Sequence, residues 1–134
     1  IEAAAKDAAV YENIVSFPQA FETEIGERGI TLSGGQKQRI SIARAIIKEP
    51  QMLIFDDCLS AVDTETEDEI LKNLKRLMNG KTSVIISHRV SSVKNADQII
   101  VLDKGNVIEN GTHDELLQIN GIYADMYHQQ LSNK

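Results

Sequence analysis

Two short apolar runs with an amphipathic stretch between them limit this chain more than anything else in it. Met52-Leu53-Ile54-Phe55 is unbroken and apolar and closes on Asp56 and Asp57, and Val84-Ile85-Ile86 is a second run of the same kind. Continuous runs of this length suit parallel strands buried on both faces. Between them Ile70, Leu71, Leu74, Leu77 and Met78 recur at helical spacing. Thr64 with Glu67 reads as a capping box at the start of that helix, and Asn79-Gly80 reads as its stop. Strand, helix and strand in that order make a β-α-β unit with parallel strands, and place the chain in the α/β class.

The flanking segments extend the pattern. Residues 1–16 are Ala-rich and read as one or two helices, broken at Phe17-Pro18. Ile1 falls inside that helical stretch with no cap before it, which reads as a cut through a larger protein. Four glycines between residues 22 and 35 mark a tightly turning loop. Gln36 to Lys48 reads as a helix with Ile40, Ala43 and Ile47 on one face, stopped by Pro50. Gln98 to Leu102 is a third strand, and Asp103-Lys104-Gly105-Asn106 turns it into Val107-Ile108-Glu109 as a hairpin. Thr112 with Glu115 caps a short helix. A last helix places Ile122, Tyr123, Met126 and Leu131 near one face.

At 134 residues this is one domain's worth of sequence. A net charge of −6 gives no basis for bulk attraction to nucleic acid or anionic lipid. The single cysteine, Cys58, excludes an internal disulfide and reads as a small buried residue in a reducing compartment. No signal peptide or membrane-length apolar run is present.

Three places carry chemistry. In Leu32-Ser33-Gly34-Gly35-Gln36, followed by Lys37-Gln38-Arg39, paired glycines open a helix where unpaired N–H groups and the positive dipole end gather. Glycine lets a phosphate approach the backbone, and Ser33 adds a hydroxyl donor. Asp56 ends a strand at its carboxyl edge, where α/β proteins bind ligands, and an acid there can hold Mg²⁺ through water. Asp57 beside it could orient a water or take its proton. His88 follows the neighbouring strand and could reach a terminal phosphate from the same sheet edge. His113 and His128 read as surface or packing residues, and nothing has His/Cys metal-ligand spacing. Gly80-Lys81-Thr82 imitates the end of a phosphate-binding loop. It lacks the glycine five positions earlier, where Lys75 stands, and it leads from helix into strand.

These residues resemble the nucleotide-binding domain of ABC transporters over nearly the whole chain. Leu32 to Gln36 is similar to the signature motif, Met52 to Asp56 to Walker B, Ser60-Ala61-Val62-Asp63 to the D-loop and His88 to the switch histidine. Thr23-Glu24-Ile25-Gly26-Glu27-Arg28-Gly29 resembles the X-loop, which in exporters touches the membrane domains. The resemblance implies the C-terminal portion of the P-loop NTPase fold of ABC ATPases. Residues 1–49 would be a helical-subdomain remnant with the signature, and residues 50–134 the core from Walker B onward, without the Walker A strand. It implies ATP and Mg²⁺ as cofactors. Leu32, Ser33, Gly34, Gly35, Gln36 and Asp63 would meet nucleotide, Asp56 the metal, and Asp57 and His88 the reaction. It implies a second nucleotide-binding domain and transmembrane domains as partners, at the cytoplasmic face of a membrane, with no nucleic acid.

Two departures stand out. The adenine-contacting aromatic, Walker A and the Q-loop glutamine belong upstream of Ile1, so the chain alone should bind ATP weakly and hydrolyse none. The absent strand would leave a gap in the sheet, filled by a rearranged sheet or an intermolecular, even swapped, dimer. Position 57, usually Glu, is Asp57, which sets the carboxylate back by roughly 1 Å, enough to cost on the order of 10²-fold in rate. That pattern resembles the degenerate-site subunit of heterodimeric exporters. A non-catalytic binding module is the alternative. A soluble ABC ATPase acting on DNA or the ribosome is disfavoured by the acidic charge and the loop at 23–29.

Overall fold

The computed structural model describes residues 1–27 and 30–132, which divide into two units, Ile1–Ile86 and Ser87–Lys134. The first contains α1 (Glu2–Asp7), α2 (Tyr11–Val15), a 3₁₀ turn (Ala20–Glu22), α3 (Gly34–Ile46), β1 (Met52–Asp56), α4 (Thr64–Leu77) and β2 (Thr82–Ile86). The second contains α5 (Val90–Val93), β3 (Ile99–Asp103), β4 (Asn106–Gly111), α6 (His113–Ile119) and α7 (Ile122–Ser132).

In the first unit β1 and β2 pair in parallel, with Ile54 opposite Val84 and Asp56 opposite Ile86, and α4 makes the crossover. Leu53 and Phe55 point into a core shared with Ala5, Ala8, Val10, Ile42, Ile46, Ile70 and Leu74. The other sheet face is bare: Met52 is 52% exposed and Ile54 62%. The expectation of two buried faces is therefore corrected. Strand side chains alternate in direction, and the helices of this unit cover one side only. The bare side also carries Val84 and Ile86.

Helix α4 is capped by Asp63, whose carboxylate accepts from the Thr66 N–H at 3.0 Å. This corrects the expected Thr64–Glu67 box: the extended backbone falls at Asp63, one residue earlier, and Glu67 is fully buried in the first turn. Helix α3 begins at Gly34, two residues before the expected start, and buries Ile42 and Ile46 while Ile47 is exposed. Arg39 of α3 donates to the Ala9 carbonyl, in the turn after α1, at 2.9 Å, and Arg76 of α4 pairs with Asp7 at the end of α1. Gly80 turns with φ +74° between α4 and β2, so Gly80-Lys81-Thr82 does lead from helix into strand.

In the second unit β3 and β4 form an antiparallel hairpin. Lys104 and Gly105 both have positive φ, the geometry of a tight two-residue turn whose twist matches the strands. Thr112 and Glu115 form the expected capping box. Tyr123 and Ala124 are the buried residues of α7, with Met126 and Tyr127 packed behind, whereas Ile122 and Leu131 are 48% and 50% exposed. The two pairs of strands form two separate two-stranded sheets among the described residues, so no single rearranged sheet replaces the expected one.

Candidate functional site

The paired glycines are the first two residues of α3. Ser33 is the N-cap: its Oγ accepts from the Gln36 N–H at 3.2 Å, and its own N–H donates to Gln36 Oε1 at 2.9 Å. This capping box turns the Gln36 side chain back onto the loop. The Gly34 and Gly35 amides, by contrast, take part in no hydrogen bond among the described residues. They open on a cleft of about 420 Å³ lined by Ser33, Gly34, Gly35, Arg39, Ala61, Val62 and Asp63. Leu32 is buried and is not among the residues that line the cleft.

The need for glycine has a cause that the sequence reading did not contain. A Cβ at Gly35 would stand 2.8 Å from the Ala61 carbonyl oxygen, and one at Gly34 would stand 3.5 Å from the Ala61 Cβ. The loop after β1 thus lies directly on the start of α3. Gln38 binds it there: Nε2 donates to Ser60 Oγ at 3.0 Å and to the Asp57 carbonyl at 3.4 Å, and Oε1 accepts from the Ala61 N–H at 3.0 Å. Ser60 Oγ also donates to the Asp57 carbonyl at 3.1 Å.

Asp57 sits at φ +48°, a left-handed conformation uncommon for aspartate. Its N–H donates to the Ile86 carbonyl at 2.9 Å, so β2, Ser60 and Gln38 together hold the bend. Asp56 and Asp57 both carry exposed side chains at the carboxyl end of the parallel pair. Hydrogen bonds from Thr66 hold the Asp63 carboxyl below its ordinary range, and Arg39 adds to the effect. Burial pushes the Cys58 thiol up to about 11, so it is an inert packing residue. The described residues contain no cluster of three metal-ligating side chains. A single exposed aspartate suits a cation carried in by a phosphate better than a resident one.

In the second unit His88 is exposed, two residues past the end of β2. His113 Nδ1 lies 2.7 Å from the Tyr123 hydroxyl, with its ring edge-on to Tyr127, and so serves packing, as expected. The loop at 23–29 is described as far as Glu27; Arg28 and Gly29 lie outside the described residues. Gly26 there has φ +117° and donates its N–H to the Ile30 carbonyl at 3.2 Å.

A family model described as "ABC transporter" matches residues 2–60. The chain is 49% identical over 131 residues to the heavy metal tolerance factor 1 of Caenorhabditis elegans, covering 98% of this chain and 16% of that protein. It is 48% identical over 132 residues to an ATP-dependent lipid A-core flippase of Alkalilimnicola ehrlichii, covering 98% of this chain and 22% of that protein. It superposes with a TM-score of 0.90 and 45% identity on the structure of a bacterial Atm1-family ABC exporter with ATP bound, over 97% of this chain and 23% of that one. The chain belongs to the ABC transporter family. Its fold is that of an exporter-type nucleotide-binding domain in part, an α/β piece of the P-loop NTPase architecture. It spans less than a quarter of the length of each of these relatives.

The segments that resemble a signature (Leu32–Gln36), Walker B (Met52–Asp56) and a D-loop (Ser60–Asp63) all lie in the first unit. Helix α3 and the loop Ser60–Asp63 are in direct contact through Gln38 and Gly35. Gln38 was legible in the sequence only as part of the Lys37-Gln38-Arg39 run, with no role of its own. A lone glutamine on a helix carries no local signal, and its partners lie 19 to 23 residues away.

Proposed function

We propose that this chain is the C-terminal part of the ATPase domain of an ABC exporter, where ATP hydrolysis drives export across a membrane. The observation that carries the reading is the pair of unbonded Gly34 and Gly35 amides at the mouth of an open cleft. They sit at the start of a helix of 13 residues, an arrangement suited to a phosphoryl group. The likeness to an ATP-bound exporter supports it.

The signature amides grip the terminal phosphate of an ATP whose cradle lies on a second nucleotide-binding domain. Ser33 keeps its hydroxyl proton free to donate there, since its oxygen is the acceptor within the cap. Asp56 would hold Mg²⁺ and Asp57 would orient the attacking water, and His88 is the residue assigned to the terminal phosphate. Mg²⁺, when bound with ATP, neutralises charge on the transferred phosphoryl. The short Asp57 carboxylate makes this the weaker of two unlike sites, so the partner is a different chain or half. The segment 23–29 faces the transmembrane domains on the cytoplasmic side. No helix among the described residues is long and apolar enough to cross a membrane.

The chain contains no Gly-x-x-x-x-Gly-Lys-Ser/Thr segment, so by itself it acts as a non-catalytic module. Calorimetric titration of Mg-ATP into the 134-residue chain tests this. The expected result is a dissociation constant above about 1 mM and no phosphate release. Micromolar binding with turnover would refute it. In the complete transporter Asp57→Glu raises turnover; an unchanged or lower rate would remove the degenerate-site reading.

A further inference from the structure

Resting on that reading of His88, one side chain far along the sequence bears on how the histidine is held. The segment from Ser87 to Val90 leaves β2 and enters α5. Ser87 Oγ accepts from the Arg89 N–H at 3.0 Å. The Val90 N–H is the first amide of α5, a donor that no helical carbonyl satisfies, and Arg89 at the N-cap offers no side-chain cap. Gln130, in the last turn of α7, supplies it: its Oε1 accepts from the Val90 N–H at 2.8 Å. Its Nε2 donates to the His88 carbonyl at 2.8 Å.

A carboxamide is the side chain that offers an acceptor and a donor side by side. Gln130 uses one of each on the two peptide groups flanking Arg89. The geometry resembles a neighbouring strand pairing with the segment. The clamp is anchored, because α7 buries Tyr123 and Ala124 beside Leu116, Val90 and Ile99. The His88 main chain is fixed while its ring stays exposed.

We propose that Gln130 is a positioning residue for His88: through its carboxamide, the C-terminal helix sets where the histidine ring stands relative to the terminal phosphate. Nothing in α7 touches the nucleotide in this account, and the helix acts on the reaction only by way of the His88 backbone.

Two substitutions separate this role from simple packing. Gln130→Met keeps the bulk and removes both bonds. Gln130→Glu keeps an acceptor for Val90 but turns a carboxylate oxygen on the His88 carbonyl, which repels it. In the complete transporter carrying Asp57→Glu, which restores turnover at the site that holds His88, ATPase rate is measured against Mg-ATP concentration. Both variants should abolish the gain in kcat that Asp57→Glu gives, as expected for a misplacement of the order of 1 Å. KM should move by less than about twofold, because the contact matters in the transition state rather than in binding.

On the 134-residue chain, hydrogen exchange at the Val90 amide should accelerate about tenfold or more in Gln130→Met and stay near wild type in Gln130→Glu, with β3 and β4 unaffected. A gain in kcat from Asp57→Glu that persists in both Gln130 variants overturns the proposal. So does loss of hairpin protection together with activity, which would make Gln130 a plain packing residue. A wild-type transporter without ATPase activity would instead refute the family function. The exchange experiment still decides whether the clamp exists in that case.

Discussion

Replacing Gly34 and Gly35 one at a time by alanine should have opposite effects on stability, although the two are adjacent in one motif. Both occupy the first turn of α3, where alanine is the better helix former by up to about 1 kcal/mol. At Gly34 the added methyl meets the Ala61 Cβ at 3.5 Å, an ordinary contact, so Gly34→Ala keeps that gain or a fraction of it. At Gly35 the methyl would stand 2.8 Å from the Ala61 carbonyl oxygen, in a residue whose N–H Gln38 holds. The loop must retreat by several tenths of an ångström, at the ~1–3 kcal/mol typical of overpacking. Net, Gly35→Ala should lose about 0–2 kcal/mol and Gly34→Ala gain about 0–1 kcal/mol. Urea denaturation of the 134-residue chain, followed by circular dichroism, reads both shifts in midpoint. If Gly35→Ala were the more stable of the two, the reasoning from Ala61 would be refuted. The contrast also ranks the variants as probes: Gly34→Ala blocks approach to the amides with the loop at Ser60–Asp63 undisturbed, whereas Gly35→Ala disturbs both.

Gln38→Ala removes bonds to the Asp57 carbonyl, Ser60 Oγ and the Ala61 N–H, and should cost ~1–3 kcal/mol, with faster hydrogen exchange at Ala61; a midpoint equal to wild type would deny the clamp. Acid should destabilise the first unit through Asp63: its folded pKa lies below the ordinary 3.8, so its contribution is present above that value and disappears as pH falls through the lower folded one. Urea midpoints between pH 6 and pH 2 should therefore fall less steeply in Asp63→Asn, which caps without titrating, and equal slopes would contradict this. Cys58, with its thiol raised from 9.0 to about 11, should alkylate at neutral pH about 100-fold more slowly than a free thiol. A rate equal to that of a small thiol would show the side chain more open than it is here.

The parts legible in the sequence are those with local causes. The β-α-β unit announced itself by two apolar runs and a helical stripe, and the hairpin turn by Lys104-Gly105, which both adopt positive φ. The Thr112–Glu115 cap read correctly because only one register was available. The cap of α4 did not, since Asp63-Thr64-Glu65-Thr66-Glu67 offers two starts, and backbone conformation alone selects Asp63. The exposed Met52 and Ile54 were hidden for a different reason. A strand's apolar pattern states what its faces can bury, and only the surrounding elements decide whether something covers them. The clamping roles of Gln38 and Gln130 left no trace, because a side chain that clamps a loop 19 to 42 residues away has no periodicity or spacing to reveal it. The requirement for glycine at 35 was legible as a fact about backbone access, but its neighbour, the Ala61 carbonyl, appears only in three dimensions.

The most direct test watches the Gly34 and Gly35 amides themselves. The chain is labelled with ¹⁵N at glycine, and its spectrum is followed while adding first Mg-ATP alone and then a complete exporter nucleotide-binding domain preloaded with Mg-ATP. The prediction is that these two resonances stay in place with free nucleotide and move downfield when the loaded domain is present, while Gly105, in the β3–β4 turn and outside the cleft lining, does not move. Resonances that ignore the loaded domain, or that respond equally to ATP without it, would contradict the assignment of the paired amides to a phosphate held by another domain.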